Sequence, residues 1–333
     1  MTRLVQIQSA TSRRVALVEE PNLRLLDPQF TSVHALASAA LAAGTPLTAF
    51  VRAHLTAELL DYDLVAAGGA AWRLLVPADH PAEPARCLVS GTGLTHLGSA
   101  KDRQAMHAVT AAETDSMKMF RWGVEGGRPA PGAVGTAPEW FYKGSGTILR
   151  AHGEPLDAPA HGEDGGEEAE IAGIYLIALD GTPHRLGMAL GNEFSDHKFE
   201  KRNYLNLAGS KIRTCSLGPE LVVDPDFANV TGRVTIARLG RPLWTKDIAT
   251  GEANMCHSLA NMEHHHFKFE THRRPGDLHV HYYGACALSF GAGVALADGD
   301  QMEVSFAGFG RPLRNPLRVY PGPMPLVVVK AVG

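Results

Sequence analysis

Punctuation constrains this chain more than any other feature. From Cys87 onward, short runs of β-branched and apolar residues alternate with glycine and proline, of which the 333 residues hold 35 and 21. That supply suits many strands joined by tight turns. The runs 171–179, 221–223, 232–239, 278–283 and 302–306 are the clearest strands. Helix is scarce here, with 101–119 the best case, and 151–166 reads as a loop because it lacks apolar periodicity. Many strands and few helices predict a β-rich sandwich, roll or barrel.

Residues 1–85 have a different texture. The stretch 32–60 is rich in Ala and Leu and predicts two helices divided at Gly44-Thr45-Pro46, with Thr45 as N-cap and Pro46 as first helical residue. Short apolar runs at 15–18 and 72–76 predict strands. The expected organisation is a small N-terminal α+β domain over 1–85 and a larger β-rich catalytic domain over 86–333, an α+β chain as a whole.

Composition narrows the class of partner. With 31 basic and 35 acidic side chains the formal charge is −4, which removes the electrostatic case for nucleic acid. No uncharged apolar stretch approaches the ~20 residues that span a bilayer, and Arg3, Arg13, Arg14, Glu19 and Glu20 interrupt any leader-like core. The four cysteines are far apart and form no CxxC pair, so reduced thiols and a cytoplasmic location are expected, with no membrane partner.

Several residues could carry chemistry. Glu168-Ala169-Glu170 precedes the apolar run 171–179. In an extended strand both carboxylates point one way, and two like charges so placed call for a cation, for which oxygen ligands favour Mg²⁺, Mn²⁺ or Ca²⁺. The plainer reading is an acidic strand edge. In Gly191-Asn192-Glu193, Glu193 could add a third carboxylate, as could Asp196 or His197; a polar turn is the alternative. Lys211, after Ser210, could anchor an anionic substrate or be a solvated lysine. His264, His265 and His266 are consecutive, and His279 and His281 have strand spacing. Three consecutive histidines cannot face one site and no HExxH frame is present, so hydrogen-bonded histidines near Asp277 are favoured over zinc. His96 lies in a glycine-rich turn over 91–98 that matches no phosphate-binding fingerprint; it could be a general base or a loop histidine in water.

Taken in order, these pieces resemble the fumarylacetoacetate hydrolase family. The likeness runs through Gly93 to His96, Pro138-Glu139-Trp140-Phe141-Tyr142-Lys143-Gly144, Glu168-Ala169-Glu170, Gly191-Asn192-Glu193, Ser210-Lys211, Leu217-Gly218-Pro219, Arg274-Pro275-Gly276-Asp277, Asp298-Gly299-Asp300 and the stretch 308–315. The spelling of 191–197, 263–267 and 309–316 looks like the GguC-type branch, associated with sugar-acid breakdown. The resemblance implies a mixed β-sandwich roll behind a smaller N-terminal domain, assembled as a homodimer, with Mg²⁺ (or Mn²⁺ or Ca²⁺) on Glu168, Glu170 and Glu193. It implies catalytic roles for Lys211, Lys143 and His96, with Thr95, Ser210 and Asn192 at the substrate. Two departures stand out: Glu193 occupies a position that is usually Asp, and Ser99 stands where the water-activating glutamate partner of His96 is expected, leaving Asp102 or Glu113 to substitute.

The implied activity is dehydration of a 2-keto-3-deoxy sugar acid, a pentonate going to 2-oxoglutarate semialdehyde through a metal-stabilised enolate. The runner-up is hydrolysis of the carbon–carbon bond of a 2,4-diketo acid, and a non-catalytic sugar-acid binder is the third reading.

Overall fold

The structure, a computed structural model, describes residues 1–98, 100, 101 and 114–333. Among these, thirteen strands form one sheet and five form a second. The large sheet runs Leu55–Asp61, Asn22–Leu26, Arg13–Glu19, Thr2–Gln8, Leu221–Val223, Pro183–Asn192, Ala169–Ile177, Leu278–Tyr282, Cys87–Gly93, Glu139–Ser145. The small sheet runs Arg241–Thr250, Val230–Arg238, Gln301–Phe306, Leu313–Val319, Leu156–Ala158. The fold is therefore mixed and strand-rich, as expected.

Two cores explain why the central strands read as unbroken apolar runs. On one face of the large sheet Ile174, Leu176, Val280 and Leu221 pack with Leu36 and Val51 from the helices Val33–Ala42 and Leu47–Ala53. On the other face Ile171, Met188 and Leu190 pack against Val234, Val304 and Phe306 of the small sheet. Every residue of Ala169–Ile177 is buried, because a strand covered on both faces loses the polar alternation of a half-exposed one. Strand Thr2–Gln8 pairs with Leu221–Val223, so the sheet passes without interruption from the first 85 residues into the rest.

Several local expectations change. The two helices of 32–60 are present, but the second begins at Leu47 with Pro46 as its cap, and the stretch ends as strand Leu55–Asp61. Thr45 turns its hydroxyl back to the Ala43 carbonyl instead of capping. The loop expected over 151–166 contains strand Leu156–Ala158, paired in parallel with Leu313–Val319. Most of the helix expected over 101–119 lies outside the described residues, and its last part falls in helix Asp115–Gly126. The glycines near His96 do not make a turn: Gly91 and Gly93 lie in strand Cys87–Gly93. A Cβ there would sit 2.5 Å from the Phe141 ring or 1.8 Å from the Glu139 carboxylate, so close cross-strand packing is what demands glycine.

Candidate metal centre

The antiparallel ladder between Ala169–Ile177 and Pro183–Asn192 builds the site. Ala169 pairs with Asn192 and Glu170 with Gly191. The Glu193 N–H donates to the Glu168 carbonyl at 2.9 Å, extending the register one step and setting Glu168 opposite Glu193. Glu170, two residues along, shares their face. One oxygen from each of the three buried carboxylates lies within 4.8 Å of the others. Asn192 fixes this end of the ladder, its side-chain oxygen accepting from the N–H groups of Glu168 (3.1 Å) and Phe194 (3.2 Å).

Directly opposed like charges destabilise a sheet, and two buried lysines answer part of that charge. Lys211 Nζ donates to Glu168 Oε1 at 2.5 Å, Glu193 Oε2 at 2.6 Å and Ser195 Oγ at 3.0 Å, and sits 4.7 Å from the centre of the Phe141 ring. Lys143 donates to the Glu193 carboxylate and to the carbonyls of Glu193, Phe194 and Lys211. With its ammonium surrounded by four oxygens, Lys143 holds Glu193 in place. Glu170 receives instead the backbone N–H of Gly284 at 2.6 Å.

The charge states follow. Burial pushes Glu168 up, but Lys211 and a 3.1 Å hydrogen bond from His197 Nε2 outweigh it and hold the acid well below its ordinary value. Glu193 is pushed up to about 7 by burial and by Glu168, against the pull of both lysines. Glu170 is held well above its ordinary value by burial and by the Glu193 and Glu168 charges. His197 is raised: burial opposes its charge, but the Glu168 carboxylate favours it more strongly.

The donor set fits a hard divalent cation. All three ligands are carboxylate oxygens, the chemistry that Mg²⁺, Mn²⁺ and Ca²⁺ prefer. The two ammonium groups contact Glu168 and Glu193 and leave Glu170 without one. Among the described residues this is the one grouping of three or more His, Cys, Asp or Glu with metal-binding geometry. The histidine-rich stretch forms no second centre there. His281 bonds to Ser90 and Thr92 through its two nitrogens, and His266 contacts Trp140 and His279.

The remaining expected residues are placed as follows. Thr95 donates to the Tyr283 carbonyl at 2.7 Å, next to the Gly284 that contacts Glu170. His96 is buried, its ring nitrogens meeting Thr95 Oγ1 at 2.9 Å and Thr250 Oγ1 at 3.1 Å, and burial pulls it down to about 4. Ser210 turns its hydroxyl to the Leu207 carbonyl at 2.7 Å. Asp196 caps helix His197–Arg202 and pairs with Arg213, away from the carboxylate trio. Ser99, Asp102 and Glu113 lie outside the described residues.

One further residue near the site was not singled out from the sequence as a candidate. In strand Glu139–Ser145, Glu139, Phe141 and Lys143 are buried while Trp140 and Tyr142 are exposed. Glu139 therefore shares the face that carries Phe141 and Lys143 toward the site. Its Oε1 accepts from Tyr204 Oη at 2.9 Å. The alternation in Pro138-Glu139-Trp140-Phe141-Tyr142-Lys143 was the available signal.

No protein-family model and no curated protein matches the chain. Among solved structures the same fold recurs along nearly its whole length. A structure of 2-keto-3-deoxyarabinonate dehydratase aligns with TM-score 0.70 and 18% identity, covering 96% of this chain and 99% of that one. 2-Keto-3-deoxy-D-arabinonate dehydratase complexed with magnesium and 2,5-dioxopentanoate gives 0.69 and 18%, over 96% and 99%. 5-Carboxymethyl-2-hydroxymuconate delta-isomerase from Mycobacterium smegmatis gives 0.59 and 16%, over 96% and 100%. The chain thus has the fumarylacetoacetate hydrolase-like fold.

Proposed function

We propose that this protein is a member of the fumarylacetoacetate hydrolase family and a divalent-metal-dependent dehydratase of a 2-keto-3-deoxy sugar acid, with a 2-keto-3-deoxypentonate as substrate. The observation that carries the reading is the buried trio Glu168, Glu170 and Glu193 with two lysines. It is supported by a fold shared with dehydratases whose structures include one with magnesium and a dioxo acid.

A divalent ion held by the three carboxylates would polarise the carboxylate and keto oxygens of a 2-oxo acid and so acidify the C3 protons. Lys211 and Lys143 align Glu168 and Glu193, Lys211 also favouring the charge on Glu168, and Lys211 adds positive charge near the C2 oxygen as electrons move onto it. The Glu139 carboxylate, oriented by Tyr204, takes a proton from C3. The C4–O bond then breaks, the hydroxide leaves as water with that proton, and tautomerisation yields the semialdehyde. His96, held down by burial, is neutral at pH 7; with Thr95 and Thr250 it lines the wall beside Gly284 and Glu170. The free thiols of Cys87, Cys215, Cys256 and Cys286 fit a reducing, cytoplasmic setting.

The test incubates metal-stripped protein with 2-keto-3-deoxypentonates and with acylpyruvates, with and without Mg²⁺, and follows products by NMR. Loss of one water from a pentonate only with metal supports the reading. Pyruvate release from an acylpyruvate replaces it with hydrolysis, and ligand binding without turnover replaces it with a sensor.

A further inference from the structure

A cavity of about 360 Å³ lies next to the metal centre, yet none of the three carboxylates is in its wall. Its volume falls in the range of small-molecule sites. Part of the wall is apolar, formed by Phe290, Val294 and Leu296. Another part is cationic. Lys198 and Lys201 both line the cavity from helix His197–Arg202, and residues three apart on a helix are neighbours on one face. Neither lysine pairs with an acid among the described residues, whereas Arg202 of the same helix is held by Glu163 at 2.9 Å. Lys201 Nζ stands 5.9 Å from the centre of the Phe290 ring instead. Asp164 is the one acid in the described wall, so two ammonium groups face a single carboxylate.

This wall complements a small molecule with an aliphatic body and negative charge at two points. Neighbouring helical positions hold their Cβ atoms about 5–6 Å apart, a separation that a chain of three methylenes matches. The cavity is also connected to the metal centre. His197 Nε2 bonds to Glu168 Oε1 at 3.1 Å. Its Nδ1 has no hydrogen-bond partner among the described residues and faces Gly166 of the cavity wall, where an added Cβ would stand 2.1 Å away. Its ring centre is 5.3 Å from that of Phe290. Ser289, directly before Phe290, donates its N–H and its hydroxyl to Glu167 at 2.7 and 2.6 Å, and Glu167 precedes Glu168 in the chain. A molecule that moves Phe290 therefore acts on Glu168 by two routes.

We infer that this cavity is a second binding site, for a small aliphatic dicarboxylate, and that its occupancy alters the affinity of the metal centre through His197 and Ser289. The inference rests on the metal-binding reading of the carboxylate trio and not on the dehydration chemistry.

The test is calorimetric, with glutarate as the probe. Saturable binding to the metal-free protein is expected. Lys198→Gln with Lys201→Gln, and separately Val294→Glu, are each expected to weaken it at least about 10-fold. Butanoate, with one carboxylate, and sulfate, with no aliphatic body, are expected to bind at least about 10-fold more weakly than glutarate. Saturating glutarate is expected to change the Mg²⁺ dissociation constant at least about 5-fold, and Mg²⁺ must change glutarate affinity by the same factor. The double lysine variant should bind Mg²⁺ as the unaltered protein does and lose the effect of glutarate on it. Absence of saturable binding, binding that withstands both sets of substitutions, equal binding of sulfate, or an Mg²⁺ affinity indifferent to glutarate overturns the inference. Glutarate binding by a chain that takes no Mg²⁺ would support the site while striking the metal reading and the coupling together.

Discussion

The central strands of the large sheet carry a cluster of buried titratable groups on each face, and the two are resolved by opposite means. On one face Glu168, Glu170 and Glu193 stay near one another by recruiting Lys143 and Lys211. On the other, His266, His272, His279 and His281 stack with ring centres 4.5–5.7 Å apart. Among the described residues Asp277 favours charge on His279, but burial outweighs it. Burial and mutual repulsion push His266 well below its ordinary value, and His279 and His281 to about 4 and about 3. Two of the acids are paired with lysines and the third, Glu170, is not, which is an invitation to a cation. His266, His279 and His281 discard their charge and bond to one another or to neutral neighbours, which is structure. A paired cluster with a remainder can do chemistry, whereas a neutralised one mainly specifies packing.

The comparison is broken most directly at the acids. Glu168→Gln or Glu170→Gln should lower metal-dependent turnover by about 10²–10³ or more, read as kcat/KM beside Mg²⁺ titration. Glu170→Gln should also make the metal-free protein more stable, because it removes an acid whose charge burial, Glu193 and Glu168 all oppose. Full activity in either variant would sink the ligand assignment.

Glu139→Gln should cut kcat by about 10²–10⁴ with Mg²⁺ affinity retained. Unchanged kcat would make it a wall residue.

Next comes Lys143→Met, which leaves Glu193 with one ammonium fewer. It should destabilise the fold by about 3–5 kcal/mol, measured by denaturant unfolding. A loss under 1 kcal/mol would mean that Lys211 alone compensates the trio.

The histidine face predicts the gentlest effect. Its depressed folded values lie below the ~6.5 of an unfolded histidine, so between about 4 and 6.5 the unfolded chain binds more protons. Stability from His279 is complete above about pH 6.5 and falls as pH drops toward 4, by about 1.4 kcal/mol per pH unit. His279→Gln should remove that share of the slope between pH 6.5 and 4.5, and an unchanged slope would show that His279 is not buried neutral.

The sequence was most legible where chemistry is local. The one-residue spacing of Glu168 and Glu170 forecasts their common face, and the ordered series of short motifs forecasts the fold. It was least legible where partners are distant. Gly91 and Gly93 look like a turn until the Phe141 ring and the Glu139 carboxylate arrive from another strand. Glu139 was visible only as part of a motif, because its function depends on which face of a strand meets the lysines. The three consecutive histidines drew attention in the sequence, yet they belong to helix Leu259–Phe267, begun by a Ser258 cap, and only His266 joins the buried stack.

The pairing of Thr2–Gln8 with Leu221–Val223 sets Thr2 against Val223. Loop-closure entropy makes so distant a contact slow to form. At ribosomal speeds of about 5–20 residues per second, that contact waits roughly 10–40 s for its second half to be synthesised. Until then the Thr2–Leu4 end of the hairpin of Thr2–Gln8 and Arg13–Glu19 keeps a bare hydrogen-bonding edge. Strand Thr2–Gln8 is thus completed long after it is made, and until then the nascent chain is exposed to misassembly along that edge.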